Sequence, residues 1–407
     1  MAKSLFISYD GLTDPLGQSQ ILPYMIGLNN LGHRISILSC EKPERYFKNK
    51  KLIEKICLTN QIQWIPIPFH TKPPILSKYY DLHKLTAMAT KLQKKENFEI
   101  IHCRSYLSAD IGLKLKRKFG VKYLFDMRGF WVDERVDGGL WNTKSFFYRT
   151  AYKKWKQKEA ELIHHADYII SLTEAGKREI QTWTSYFSTP IEVIPCSADM
   201  ELFSFSDKEQ KKEARKLLQI DDETFVLSYL GSLGTWYLLD EMLLFFKFLK
   251  ENFPVVKFLI LTPDDAEKVY QQAFSIGLDK NDFVIQFAQR KEVPQLMKAS
   301  DVSISFIKPA YSKIASSPTK LGELLSMGIP VICNNIGDVA YIIDMSNGGF
   351  ILNDFSEISF RFALEYIHSL KYNLKINIES VRNYYSLEQA IIKYDNVYKK
   401  IFSTCSE

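Results

Sequence analysis

Short apolar runs alternate with stretches of helical spacing along this chain, and the alternation starts over near its middle. In the first half the runs fall at residues 4–8, 34–38, 99–102, 122–125 and 168–171. In the second half they fall at 225–230, 257–261, 283–287, 302–305 and 331–333. Apolar runs separated by helices predict parallel strands covered on both faces. The restart, together with a length of 407 residues, predicts an α/β chain of two doubly wound domains rather than one core. A linker is expected near Ile194-Pro195-Cys196-Ser197-Ala198-Asp199, where a strand ends and an acidic helical stretch begins. The predicted domains are 1–198 and 199–385, followed by a terminal helix within 386–407. In that helix Leu387, Ala390, Ile391, Tyr394, Val397, Tyr398 and Ile401 recur at helical spacing behind a Ser386–Gln389 capping box.

Open α/β sheets bind ligands beyond the carboxyl ends of their strands, so the loops after strands carry the functional search. The most informative is Ser316-Ser317-Pro318-Thr319-Lys320-Leu321-Gly322-Glu323-Leu324-Leu325-Ser326-Met327-Gly328-Ile329-Pro330. It predicts a serine-capped helix with Pro318 in its first position, a buried Leu321, Leu324 and Leu325 stripe, and a stop at Gly328 and Pro330. Lys320 and Glu323 then lie three apart near the helix start, where free backbone N–H groups also point outward. A cation, N–H donors and a carboxylate suit a phosphorylated ligand that carries hydroxyls. The bland alternative is a packing helix with a solvent-facing Lys320–Glu323 pair.

Three further loops follow strands. Asp10-Gly11-Leu12-Thr13-Asp14-Pro15-Leu16-Gly17-Gln18-Ser19-Gln20 is glycine-rich but lacks the dinucleotide fingerprint, and no P-loop occurs in the chain. Leu230-Gly231-Ser232-Leu233-Gly234-Thr235-Trp236-Tyr237 can bring backbone close to a diphosphate. Phe125-Asp126-Met127-Arg128-Gly129-Phe130-Trp131-Val132-Asp133-Glu134-Arg135 places charges and aromatics at a strand's carboxyl end, an active-site wall or a structural ion-pair network. Arg104, after the preceding strand, is expected to join it. His33, in Gly32-His33-Arg34, reads as a structural turn.

Composition bounds these readings. Apolar residues make up 46% and charged residues 25%, as in a folded globular protein. The cysteines at 40, 57, 103, 196, 333 and 405 form no Cys-x-x-Cys pair and no metal-ligand spacing with the seven histidines, which implies reduced thiols and a cytoplasmic protein. The first residues run straight into a strand pattern without signal-peptide organisation, and no apolar run is long enough to span a bilayer. The net charge of +6 is uneven. Through residue 200 there are 30 lysines and arginines against 20 acids, a net +10; beyond it 23 face 27, a net −4. Clusters at Lys114, Lys116, Arg117, Lys118 and Lys122, and at Lys153, Lys154, Lys156 and Lys158, favour an anionic membrane surface or an anionic acceptor over plain solvated faces. No nucleic-acid-binding motif accompanies the charge, so nucleic acid is not an expected partner. There is no Asp-x-Asp pair, hence no obvious metal–diphosphate ligand set.

The segments 10–20, 126–141, 231–237 and 317–331 together resemble bacterial capsule and exopolysaccharide members of the retaining glycosyltransferases of family 4. The resemblance extends over nearly the whole chain. It implies the GT-B architecture: two Rossmann-like domains facing a cleft, with the last helix crossing back onto the N-terminal domain. It implies that Glu323 binds ribose hydroxyls, and that Gly17, Gly231, Ser232, Ser317, Pro318, Thr319, Lys320 and Leu321 border the phosphates. Arg290, in Ala288-Gln289-Arg290, is expected near the base. Thr13, Asp14, Arg104 and Trp131 are the acceptor-side candidates; Asp126, Arg128 and Lys320 are the candidates for the chemical step. Relatives commonly carry an arginine where Ser232 stands, a histidine near Asp126 and Arg128, and a second glutamate at the position of Ala315. Lys320 is therefore expected to supply the missing phosphate cation.

The expected activity is transfer of a sugar from a nucleoside-diphosphate sugar to a glycan or lipid-linked glycan acceptor, with retention. The nucleotide sugar is a co-substrate; no other cofactor and no metal is expected. The work would serve cell-surface polysaccharide synthesis at the inner face of the cytoplasmic membrane. Two alternatives stay open on sequence: a non-catalytic partner subunit of this architecture, or a sugar-nucleotide epimerase or phosphorylase built on it.

Overall fold

The computed structural model describes residues 1–402 except 74, 75 and 374, with the backbone alone at 371–373; Cys405 lies outside the described residues. Two compact units result. The first comprises residues 1–196, 311–316 and the chain from 387 onward; the second comprises 197–310 and 317–386. Both are two-faced parallel sheets covered by helices, the Rossmann-like arrangement expected from the alternation.

The first sheet holds β1 (Lys3–Ser8), β2 (Arg34–Glu41), β3 (Gln63–Pro68), β4 (Ile100–Arg104), β5 (Lys122–Asp126), β6 (Tyr168–Ser171) and β7 (Ile191–Val193). Their order is β3-β2-β1-β4-β5-β6-β7, all parallel. Chain order reverses between β1 and β4. Alternation along β1 sends Leu5 and Ile7 into one core with Tyr106, Tyr123 and Phe125, and Phe6 into the other with Ile37, Ile100 and Leu124. The helix Leu387–Lys400 completes that second core with Ala390, Tyr394, Val397 and Tyr398. It packs on the helix Leu22–Asn30, where a Cβ on Gly27 would stand 2.1 Å from Ile391 Cδ1. His33 pins it as well: Nδ1 accepts from the Ala2 N–H at 3.1 Å, leaving Nε2 to donate to Asp395 at 2.9 Å.

The second sheet holds β8 (Phe225–Leu230), β9 (Val256–Leu261), β10 (Phe283–Gln286), β11 (Val302–Ser305), β12 (Val331–Asn334) and β13 (Gly349–Leu352). Their order is β10-β9-β8-β11-β12-β13, with the reversal between β8 and β11.

Three features differ from the sequence expectation. The strands β3 and β13 carried no recognised run, and both are sheet edges, as is β7, the strand whose end marked the expected linker. The six residues 311–316, within the span expected for the second domain, group with the first unit. There Tyr311–Ala315 forms a short 3-10 turn, and Thr173 Oγ1 donates to the Ile314 carbonyl at 2.8 Å. Finally, the helix after this return starts at Thr319. Pro318 is its cap residue, and no side chain supplies a cap hydrogen bond, so the expected serine cap with proline in the first turn is not formed.

Candidate functional site

In the second unit, the loops after β8 and β11 flank the point where strand order reverses, the position at which open α/β sheets hold ligands. The helix Thr319–Ser326 follows β11, and its Leu321, Leu324 and Leu325 are buried, as the stripe predicted. Gly328 takes φ +79° just past the helix, which a residue with a Cβ would adopt only at a cost. Packing fixes the helix, so the polar side chains at its start are aimed by the backbone.

Lys320 reaches back to the end of β8. Its ammonium donates to Tyr229 Oη and to the Leu230 carbonyl, both at 3.2 Å. It lies 3.4 Å from the Tyr237 ring centre and 4.5 Å from that of Tyr229. Burial holds its pKa well below the usual lysine value. Among the described residues it makes no ion pair with a carboxylate, so its charge is met only by ring faces and two oxygens. Gly231, at φ +126°, admits it: a Cβ there would stand 3.4 Å from the ammonium nitrogen. The Tyr229 hydroxyl donates in turn to the Ser232 carbonyl at 2.6 Å, and Leu233 N–H donates to Asp264, which fixes the glycine loop.

Glu323 lies one turn further along, 4% exposed. Arg290, from the loop after β10, donates to Glu323 Oε1 at 2.8 Å and stacks 5.2 Å over Phe203. Burial raises the Glu323 pKa, and Arg290 opposes the rise. Oε2 carries no hydrogen bond among the described residues and stays available to ligand hydroxyls. Gly231, Ser232 and Lys320 thus come together, as do Arg290 and Glu323. Ser317, Pro318 and Thr319 are half-buried at the helix start, whereas Leu321 is core. The solvent-facing Lys320–Glu323 pair of the bland reading does not occur.

In the first unit the glycine-rich loop follows β1, beside that sheet's own reversal point. A Cβ at Gly17 would meet Gly11 O at 2.1 Å, so this glycine is required for the loop to close on its own helix. Leu12 and Thr13 N–H groups donate to Glu41 at 2.8 and 3.0 Å, and Thr13 Oγ1 at 2.5 Å. Asp14 is paired with Lys42 at 2.8 Å and Arg45 at 3.2 Å. Thr13, through its backbone N–H and hydroxyl, and Asp14, through its carboxylate, therefore serve to hold the loop in place.

Asp126, at the end of β5, is 2% exposed. Tyr394 Oη donates to it at 3.1 Å, and His102 Nε2 and Arg128 Nη1 lie 3.6 and 3.9 Å away. Burial pushes its pKa up, but Arg128, His102 and Arg104 outweigh burial and leave it below the ordinary aspartate value. Arg128 has φ +57° and donates to Cys196 Sγ at 3.0 Å; Ser105, directly after Arg104, has φ +62°. Left-handed backbone at two non-glycine residues on neighbouring strand ends stores strain of about 1 kcal/mol or more each, the kind concentrated at functional sites. Arg104 is 5% exposed, with Asp10 3.7 Å from its Nε. Trp131 packs against Trp155 and Trp141 at 5.0 and 5.8 Å, under Arg135. Arg104, Asp126 and Arg128 form one buried network, while Trp131 belongs to an aromatic stack.

Sequence reasoning missed the tyrosine collar of Lys320 and the Glu41 anchor. Tyr237 stood in a loop already quoted, but its partner Tyr229 reads as an ordinary strand residue. Ala315 is 2% exposed and belongs to the first unit's core, where its Cβ would lie 3.0 Å from a Cβ added to Gly176. A glutamate does not fit that environment. Among the described residues no group of three or more His, Cys, Asp or Glu is placed to hold a metal ion.

Two Rossmann-like units, one with a buried cation and carboxylate at its strand-order reversal, define the GT-B class. Residues 25–202 match the family model described as Glycosyltransferase Family 4, and residues 210–376 that described as Glycosyl transferases group 1. Together these models span most of the chain, and the protein belongs to these glycosyltransferases. Solved structures agree on the fold. Sucrose-phosphate synthase from Thermosynechococcus elongatus superposes with a TM-score of 0.70 at 15% identity, over 99% of this chain and 100% of that one. HepE from Anabaena, in complex with UDP-glucose, gives 0.69 at 14%, over 98% and 100%. WaaG, a glycosyltransferase involved in lipopolysaccharide biosynthesis, gives 0.66 at 14%, over 97% and 99%. No curated protein matches the chain by sequence.

Proposed function

We propose that this glycosyltransferase moves a hexosyl group from a nucleoside-diphosphate sugar to a glycan or lipid-linked glycan acceptor, with retention, in cell-surface polysaccharide synthesis. The observation that carries the donor assignment is Lys320: a buried ammonium without a carboxylate partner, beside a glycine loop and one turn from a half-satisfied buried carboxylate. An unpaired buried cation is costly, and an anionic ligand removes that cost. In this reading the diphosphate lies against Lys320 and the Gly231 backbone, and Glu323 Oε2 accepts from ribose hydroxyls. Lys320 and fixed backbone dipoles stabilise the departing diphosphate without a metal ion. The fold neighbour HepE, solved with UDP-glucose, supports a nucleotide-sugar ligand. Retention follows from the family resemblance, in which the leaving diphosphate assists the incoming hydroxyl.

Action at an anionic membrane surface is part of the same proposal. Between Gly138 and Lys158 the sequence has six lysines and arginines and no acid. Leu140, Phe146 and Phe147 are 61%, 77% and 61% exposed there. Lys144, Arg149, Lys153 and Lys154 are exposed, with no ion-pair partner among the described residues. Exposed aromatics beside uncompensated cations suit the headgroup region of anionic lipid. No helix among the described residues is long and apolar enough to cross a membrane.

The test is incubation of the full chain with a panel of UDP-, GDP-, ADP- and TDP-sugars, with and without EDTA, while following released nucleotide. Slow hydrolysis of one donor that survives EDTA is expected. Failure of every nucleotide to bind would favour a non-catalytic subunit.

A further inference from the structure

A cavity of about 630 Å³ opens within the first unit, and the glycine-rich loop takes no part in lining it. Its walls come from the helices Trp131–Asp137 and Phe146–His165, from residues 183–185 and from Tyr311. The volume falls within the roughly 300–1,000 Å³ range of small-molecule sites.

The floor is polar and already cross-linked. Lys156 lies 3.0 Å from Asp133 and also pairs with Glu159. Tyr152 donates to Asp133 at 2.8 Å, and Tyr106 donates to Glu159 at 2.5 Å. Asp133 and Glu159 are 5% and 1% exposed, so this network is held by the fold. Asp137 accepts from the Ser312 N–H at 2.9 Å, which ties the floor to the returning segment. One wall is aromatic: Trp183 Nε1 donates to Tyr311 Oη at 3.1 Å, and Phe130 stacks on Tyr311 at 5.5 Å.

This chemistry selects its occupant. Three carboxylates against one lysine disfavour a phosphate or diphosphate. Lys156 already occupies the place between Asp133 and Glu159 that a ligand ammonium would take. The carboxylates keep unused lone pairs, the Tyr152 and Tyr311 hydroxyls, whose protons go to Asp133 and Glu179, still accept, the Ser185 hydroxyl can donate or accept, and the rings offer apolar faces. A neutral molecule with many hydroxyls and C–H faces matches all three. We propose that this cavity binds neutral pyranose units of the acceptor glycan, separately from the nucleotide site of the second unit. The proposal rests on the reading of the acceptor as a glycan. It also places bound glycan against Tyr311, on the same continuous stretch of chain that runs through Ser317 to Lys320.

The full chain is to be titrated with glucose, galactose, mannose, N-acetylglucosamine, maltose and cellobiose, read by saturation-transfer NMR, with and without saturating UDP. Thr184→Trp fills the cavity from an exposed position without removing a structural contact, and Ser185→Phe is the second filling variant should the first not fold. At least one sugar is expected to bind with a Kd of order 1 mM, undisplaced by UDP, and to weaken at least about tenfold in the filled variant while UDP affinity is kept. Absence of binding by all six sugars overturns the proposal. So does sugar binding that UDP displaces, or that the filled variant leaves intact. Loss of UDP binding by the wild-type chain is a separate result and counts against the donor reading alone.

Discussion

At the scale of single residues, Lys320 is held at a cost to folding. Its folded pKa lies below the lysine value of the unfolded chain because burial disfavours the charged form. Between the two values the unfolded chain binds more protons, so this group makes stability rise with pH across that window. Nucleotide binding runs the other way, since a diphosphate favours the charged ammonium. Affinity for UDP should therefore fall as pH is raised through the lowered pKa, well before an ordinary lysine titrates. Lys320→Met should lose about 10- to 100-fold in UDP affinity, the scale of a charge-assisted hydrogen bond, and flatten that alkaline limb. Its Tm should equal or exceed that of the wild type, because an unpaired buried charge is gone. Calorimetric titration at several pH values above 7, with thermal melts alongside, checks both; an unchanged alkaline limb in the variant would remove Lys320 from the phosphate site. Glu323→Gln keeps the shape and one acceptor oxygen but loses the charge that orders Arg290. A drop of about tenfold or more in nucleoside affinity is expected, and adenosine-, guanosine- and uridine-diphosphates compared on the variant would show whether the base contact moves with it.

Among elements, the docking of Leu387–Lys400 on Leu22–Asn30 turns on one small residue. With a Cβ at Gly27 already set to strike Ile391, Gly27→Val should destabilise the protein by about 1–3 kcal/mol, the usual range for overpacking. Ile391→Ala should recover part of that loss in the double variant, and urea unfolding of the four-member cycle measures the coupling. Additive effects would show that the two helices do not meet there. The same elements show what sequence could and could not reveal. Central strands such as β1 and β8 read clearly because burial on both faces makes them uniformly apolar. The edge strand β3, Gln63-Trp64-Ile65-Pro66-Ile67-Pro68, hides behind two prolines that an edge tolerates because one side has no ladder to complete. β13 hides behind its leading glycines. Lys320 and Glu323 were legible because they sit on one short helix whose stripe and stop are local signals. Tyr229 and Glu41 were not, because each meets a partner far away in sequence, Lys320 for one and Leu12 and Thr13 for the other. The return of 311–316 to the first unit has no local signature, since an apolar residue such as Ala315 fits either unit's core.

Over the whole molecule, charge is divided between the halves, and one stretch of the positive half sets exposed aromatics beside its cations. Exposed phenylalanines alone would mark a sticky surface, and exposed lysines alone a solvated one. Phe146 and Phe147 beside Lys144 and Arg149 satisfy both demands of an anionic bilayer interface at once. Each cation near such a surface is worth about 1 kcal/mol, and the attraction fades within a Debye length of about 8 Å at physiological salt. The chain should therefore co-sediment with phosphatidylglycerol vesicles and not with phosphatidylcholine ones, and raising the salt to about 1 M should weaken the binding. Replacing Phe146 and Phe147 with serine should remove the part of the binding that resists salt, whereas Lys153→Glu with Lys154→Glu should remove the part that salt suppresses. UDP affinity should be unchanged in both variants, since these residues belong to the first unit and Lys320 to the second. Equal binding to both lipids, or full binding by both variants, would leave the basic half as a solvated surface and move the acceptor away from the membrane.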